Sequence, residues 1–304
     1  MFPNIALAGL RHAGDEKLKC LLCESETSHI VWRQDGFQIA RCAGCDVLFA
    51  LNAPSQSDLN ALYEKGKLTG APLQDIGRGD GPPPDWKQSE QISILQALER
   101  LGMSGGSLLD VGAFSGMFLQ NAKRRGFQVT GVEPIREAFV YLTDTLGLQV
   151  VHGDLHSAPF PADHFTVVSL LDVIEHVVDP VAELREIYRI LRPGGIVVMT
   201  TPNAAGLMQR IVGSKRKLFG QPWCPIDDIP WHLWGFTPGT FRLCMEKAGF
   251  QVEYVDSLEP SPLSTNSNSG SRGLKKLALR FTAEASKLMN MSDRMVGYAR
   301  KPSA

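Results

Sequence analysis

Apolar and polar positions along this chain alternate between two periods. From Trp86 to Leu101 the apolar residues Ile92, Leu95, Leu98 and Leu101 return at helical spacing and stop at Gly102. This predicts a helix with a glycine just past its end. A short apolar run at 108–111 then opens a regular alternation of strands and helices. A helix through Leu119 and Ala122 closes at Gly126, and a strand follows at 127–133. The next helix ends near Gly147, and strand 148–152 leads into Gly153 and Asp154. HFTVVSLLDVIEHV holds a fourth strand, after which Asp179 and Pro180 open a helix as N-cap and first-turn residue. That helix stops before Pro193-Gly194-Gly195, and IVVMTTPN is a fifth strand. Thr237 and Pro238 open a further helix closing at Gly249, before a sixth strand, FQVEYVDS. Residues 204–234 show no clear period, and 257–273 are rich in Ser, Asn, Gly and Pro, which predicts a flexible loop. LKKLALRFTAEASKLM has amphipathic spacing, which suits packing on its own domain ahead of contact with a membrane surface, and RMVGYARK is a candidate last strand. The strands are unbroken apolar runs, as parallel strands covered on both faces should be. The expected class is α/β, a doubly wound, mostly parallel sheet spanning residues 86–304.

Ahead of this domain the pattern changes. Cys20-x-x-Cys23 and Cys42-x-x-Cys45 are separated by eighteen residues, a spacing characteristic of zinc held by two such pairs. Four thiolates close a tetrahedron and leave no open position, so the predicted metal is structural. IVWRQ and FQIARC flank an Asp35-Gly36 hairpin turn. Residues 15–55 therefore read as a small zinc ribbon, stabilised by metal where few core residues are available, with a core separate from the larger domain. Residues 56–85 read as a short capped helix, SQSDLNALYE, and a Gly/Pro-rich linker.

The 304 residues can bury a substantial core, and 43% of them are hydrophobic. A net charge of -1 gives no footprint for nucleic acid or for an anionic membrane surface. No apolar run approaches the ~20 residues of a membrane helix, and the N-terminus lacks the charged region of a signal peptide. The expected residence is cytoplasmic, without stable membrane insertion, and nothing in the pattern sets an oligomeric state.

The chemistry concentrates in LLDVGAFSGMFL at 108–119, a strand turning sharply into a helix. Asp110 ends the strand, and Gly112 and Gly116 bracket a turn where backbone can approach a ligand closely. Glu133 ends the next strand, where a carboxylate can take both hydroxyls of a ribose. A dinucleotide turn would read G-x-G-x-x-G, but position 114 is Phe and 117 is Met. The arrangement points to S-adenosylmethionine instead.

These residues resemble the class I S-adenosylmethionine-dependent methyltransferases over residues 86 to the C-terminus. DVGAFSG is similar to the family's glycine-rich first motif, Glu133 to the acid ending its second strand, and Gly153-Asp154 to the turn facing adenine. DVIEHVVDP and LRPGGIVVMTTPN resemble its fourth and fifth strand motifs, and HLWGFTPGTFRLCMEKAGFQV its closing helix and strand. The resemblance implies a seven-stranded sheet with an antiparallel last strand, RMVGYARK. It implies a cofactor set of Asp110, Gly112, Ala113, Phe114 and Gly116 in the first motif, Glu133 and Pro134 in the second, Asp154 and Leu155 in the third, and Asp172 and Val173 in the fourth. The family usually has Gly where this chain has Phe114, so that side chain must point away from the cofactor or line its pocket. The front end is similar to methyltransferases carrying an N-terminal zinc ribbon.

The implied reaction is transfer of a methyl group to a small-molecule acceptor such as a sugar, quinone-like compound or secondary metabolite, O-directed rather than N- or C-directed. A hydroxyl acceptor needs a base, and His176, at the carboxyl edge of the fourth strand, and His232, among Trp231 and Trp234, are the candidates. Asp172, Glu175 and His176 also have a spacing that could ligate a metal. Residues 204–236 could lid the site; Trp223, Trp231, Trp234 and Phe236 form either a flat wall for an acceptor ring or core. Lys215, Arg216 and Lys217 read as a solvated turn or a phosphate contact. The competing reading is a non-catalytic cofactor-binding or scaffold protein with the same fold.

Overall fold

The computed structural model describes residues 19–34, 36–56, 58–59, 85–220, 223–226, 229, 231–258, 286, 289 and 291–303. Asp35, most of the 56–85 linker, and nearly all of 259–289 lie outside the described residues, and with them the hairpin tip, most of the loop 257–273 and the amphipathic segment.

The large sheet has seven strands. In chain order they are β4 (Gly106–Val111), β5 (Phe127–Glu133), β6 (Val150–His152), β7 (Phe165–Leu171), β8 (Leu191–Pro202), β10 (Gln251–Ser257) and β11 (Arg294–Arg300). Their spatial order is β10-β11-β8-β7-β4-β5-β6. β4, β5, β6, β7 and β8 pair in parallel, whereas β11 runs antiparallel to both β8 and β10. The seven-stranded topology and its antiparallel last strand are those the family resemblance implies.

The helices form where the caps and apolar spacing place them. α1 (Asp85–Arg100) precedes β4, α2 (Met117–Arg124) follows it, and α3 (Arg136–Val140) runs on into a π turn. α2 starts at Gly116, whose φ of 70° is left-handed, and buries Phe118, Leu119 and Ala122. α4 (Pro180–Ile190) is capped by Asp179, which accepts from the backbone N–H groups of Val181 and Ala182. α6 (Pro238–Lys247) opens with Thr237 and Thr240 in a reciprocal capping box. Leu95, Leu98, Leu108, Phe118, Val167 and Val198 fill one face of the sheet. Leu109, Val168, Leu184 and Phe241 fill the other. Among the described residues no helix is long and apolar enough to cross a membrane.

Two elements lie where the chain shows no period. α5 (Leu207–Leu218) buries only Gly213, and Lys215, Arg216 and Lys217 form its exposed last turn rather than a loop. β9 (Trp234–Gly235) is two residues long and joins another sheet altogether. That sheet is the N-terminal unit: β1 (Ser28–Gln34), β2 (Phe37–Cys42), β3 (Leu48–Ala50) and β9, antiparallel in that order. The ribbon therefore borrows a strand from the segment expected to lid the site. Its core is not separate either. Cys20, Leu22, Cys42 and Phe49 belong to the same buried cluster as Leu109, Val168 and Ala299.

Candidate cofactor and acceptor site

A cavity of about 380 Å³ opens at the carboxyl edge of β4, β5 and β7, the edge where α/β sheets receive ligands. Gly112, Phe114, Glu133, Pro134, Asp154, Leu155, Asp172, Val173 and His176 line it. Glu133 is 2% exposed. One carboxylate oxygen accepts from the Phe114 N–H at 2.7 Å and the other from the Ile135 N–H at 2.8 Å. Burial pushes its pKa up to about 7 against the pull of these two bonds. Phe114 takes a left-handed φ of 42° and is one of the residues lining the cavity.

Three residues expected at the cofactor do not line the cavity. Asp110 is buried and accepts from the Ser169 hydroxyl at 2.7 Å across the β4–β7 pair, and burial pushes its pKa up to about 7. Ala113 lies behind the turn, against β5: a Cβ on Gly131 would stand 3.1 Å from its methyl. At Gly116 a Cβ would come within 2.5 Å of the Leu142 side chain. What glycine makes room for there is the packing of α2 against Leu142, Leu146 and Leu148.

Asp172, at the end of β7, has a left-handed φ of 60°. Its carboxylate meets Lys87 at 2.7 Å and Arg294 at 2.7 Å, and accepts from the Thr200 hydroxyl at 2.9 Å. Though burial opposes it, the two cations hold the Asp172 carboxyl well below the usual carboxylate range. Arg294 also reaches Glu90 at 3.1 Å, and both Lys87 and Arg294 stand over the Trp86 ring. Lys87 is a cavity residue that sequence pattern missed, because its partner lies 85 positions away. His156 is another: it pairs with Glu183 at 2.9 Å, which raises its pKa.

His176 and His232 do come together, with ring centroids 4.7 Å apart and nearly edge to face. His176 lines the cavity and its Nδ1 lies 2.9 Å from the Trp231 carbonyl. That contact requires the proton on Nδ1 and makes Nε2 the basic nitrogen. Glu175 stands beside them, 1% exposed, with neither carboxylate oxygen hydrogen-bonded among the described residues. Burial, helped by the Asp172 charge, pushes its pKa up to about 8. Donor atoms of Glu175, His176 and His232 all lie within 4.8 Å of one another, whereas Asp172 is taken up by Lys87 and Arg294. The metal-compatible grouping is thus a different trio from the one the helical spacing suggests. Trp231, Trp234 and Phe236 are 8%, 7% and 0% exposed and belong to the core.

In the ribbon, Cys20 and Cys45 sulfurs are 3.7 Å apart, Cys23 and Cys42 sulfurs 3.4 Å, and all four lie within 4.8 Å of one another. Four thiolates around one zinc would be roughly 3.8 Å apart, so the donor set fits that ion.

Residues 87–255 match the model of a family described as a methyltransferase domain. The ubiquinone biosynthesis O-methyltransferase of Aeromonas salmonicida is 30% identical over 172 residues, which span 54% of this chain and 70% of that relative. Its namesake in Pseudomonas putida is 29% identical over 55% of this chain and 73% of the relative. The one in Psychrobacter cryohalolentis is 33% identical over 117 residues, less than half of its own length at 45%. Two solved structures share the fold. The cyclase SpnF has a TM-score of 0.56 at 20% identity, covering 83% of this chain and 98% of that one. A chain from the complex of the Haloferax volcanii Trm112 methyltransferase activator with a methyltransferase has a TM-score of 0.51 at 18% identity, covering 81% and 98%. With its parallel sheet, its glycine turn and the acid ending its second strand, the chain belongs to the S-adenosylmethionine-dependent methyltransferases.

Proposed function

We propose that the chain methylates a hydroxyl group of a small molecule, with S-adenosylmethionine in the 380 Å³ cavity. The observation that carries this reading is that Glu133 and His176 line one cavity, an acid for the ribose and a base for the acceptor. The cofactor, when bound, supplies an electrophilic methyl group on a sulfonium. Glu133 would hold the ribose hydroxyls, with Phe114, Asp154 and Leu155 as further cavity residues on the nucleoside side. Asp172, fixed by Lys87 and Arg294, would offer a rigid rim to the bound cofactor. His176, through Nε2, accepts the acceptor's proton, with His232 against its ring as the alternative base. The apolar lining keeps water from the reacting atoms. The relatives named for ubiquinone biosynthesis favour a phenolic acceptor, whose acidic hydroxyl a histidine can deprotonate.

The test is turnover with a panel of catechols and phenols, followed as release of S-adenosylhomocysteine. Glu133→Ala should weaken cofactor binding about ten- to hundredfold through loss of charge-assisted hydrogen bonds. The histidine variant that removes the base should lower turnover about 10²–10⁴-fold with cofactor affinity kept. Binding without turnover on any acceptor would favour the non-catalytic reading.

The same proposal places a structural zinc on Cys20, Cys23, Cys42 and Cys45, supported by the sulfur spacing. Metal analysis should find one zinc per chain, lost when Cys20 and Cys23 are both changed to Ser. Cytoplasmic residence goes with this reading, since the four thiols must stay reduced to hold the ion.

A further inference from the structure

The backbone from Trp231 to Gly235 is gripped from both sides. On one side it belongs to the ribbon: β9 pairs with β3, Phe49 opposite Trp234 and Leu48 opposite Gly235, and the Ala50 N–H donates to the Leu233 carbonyl at 2.9 Å. The Trp234 indole stacks on the Phe49 ring, centroids 5.9 Å apart and planes inclined by 29°. On the other side the same residues hold the loop after β7. The N–H groups of Leu233 and Trp234 donate to the Glu175 carbonyl at 2.8 and 3.2 Å. The Trp234 indole N–H donates to the Val177 carbonyl at 2.9 Å, and the Trp231 carbonyl accepts from His176 Nδ1. His176 is thus orientated by a peptide whose own position is set by the ribbon, and His232 belongs to that peptide. The glycine turn and Glu133 stand on β4 and β5, which share no strand with the ribbon sheet.

We infer that Phe49 and Trp234 are positioning residues: the ribbon carries β9 in order to hold the His176–His232 pair at the cavity. The inference rests on the reading of these histidines as the proton acceptors, but its structural content is measurable without an acceptor. Ordered backbone of this kind sets the alignment of a base to within a fraction of an ångström, and misplacement of about 1 Å can cost roughly 10²-fold in rate.

The test uses the full chain with three substitutions: Phe49→Ala removes the stacking partner, Phe49→Tyr keeps the ring, and Trp234→Phe keeps the stack while removing the indole N–H. Nitrogen-15 spectra of labelled histidine report the Nδ1–H tautomer of His176. Hydrogen exchange reports the Leu233 and Trp234 amides, and calorimetry reports cofactor affinity. In Phe49→Ala and Trp234→Phe the His176 tautomer signature should change and the two amides should exchange about tenfold faster or more. Cofactor affinity should stay within about twofold. Phe49→Tyr should restore the wild-type signature. Folded variants that keep the wild-type His176 spectrum and amide protection would overturn the inference, and so would equal loss of cofactor affinity. If Phe49→Ala does not fold, Trp234→Phe decides alone. Failure of the base assignment itself would show separately, as unchanged turnover in His176→Ala and His232→Ala.

Discussion

Glu133 and Asp110 are two buried acids of one sheet edge whose pKa values burial raises to about 7. Each folded-state pKa lies above its ordinary value, so between about 4 and 7 the folded chain binds more protons than the unfolded chain. The contribution of both groups to stability is therefore present below that window and is lost as pH rises through it. Glu133→Gln should flatten this decline, as measured by urea unfolding of the ligand-free protein at about pH 5, 6, 7 and 8. With the proposed pose, ribose hydroxyls meet an ionised carboxylate, so cofactor affinity should climb through pH 7 and then level off. Glu133 was legible in the sequence as the acid ending a strand. Asp110 and Gly116 were legible as a turn motif, but spacing shows which residues are near a turn and not which way each faces. Asp110 turns to Ser169, and Gly116 faces Leu142.

Among elements, the ion cluster around Asp172 ties α1, β7 and β11 together through Lys87, Glu90 and Arg294. The Arg294 side chain is 16% exposed and faces two acids. Arg294→Met should leave Asp172 with Lys87 as its remaining cation and Glu90 without its ion-pair partner, costing up to about 3–5 kcal/mol. Thermal unfolding should show the loss, and Arg294→Lys should recover part of it. No local pattern could reveal this cluster, since its members come from three distant stretches. α5 was illegible for another reason: the apolar residues Leu207, Met208, Ile211 and Val212 crowd its first half, and the helix buries a single glycine. β9 is too short to have a period, and its pairing with β3 is dictated by a partner nearly two hundred residues earlier. β7 and the Ile196–Thr201 stretch of β8 were legible because burial on both faces leaves a mostly apolar run.

At the level of the whole molecule, the continuous buried cluster from Cys20 to Ala299 changes what the ribbon is for. A ribbon with its own core could be lost without harm to the larger domain; this one shares both core and strand. Changing Cys20 and Cys23 to Ser, or chelating the metal, should lower the melting temperature of the entire chain in one transition. Calorimetry showing a separate early transition, with the main one unmoved, would contradict the shared core. The antiparallel insertion of β11 between β8 and β10 carries a further consequence, for how the chain is born. While a ribosome is still making the residues after Ser257, β8 has emerged with one edge unpaired, and β10 has no neighbour in the sheet. An apolar strand edge left open in this way is a template for the wrong partner, so the chain is exposed to mispairing until β11 arrives.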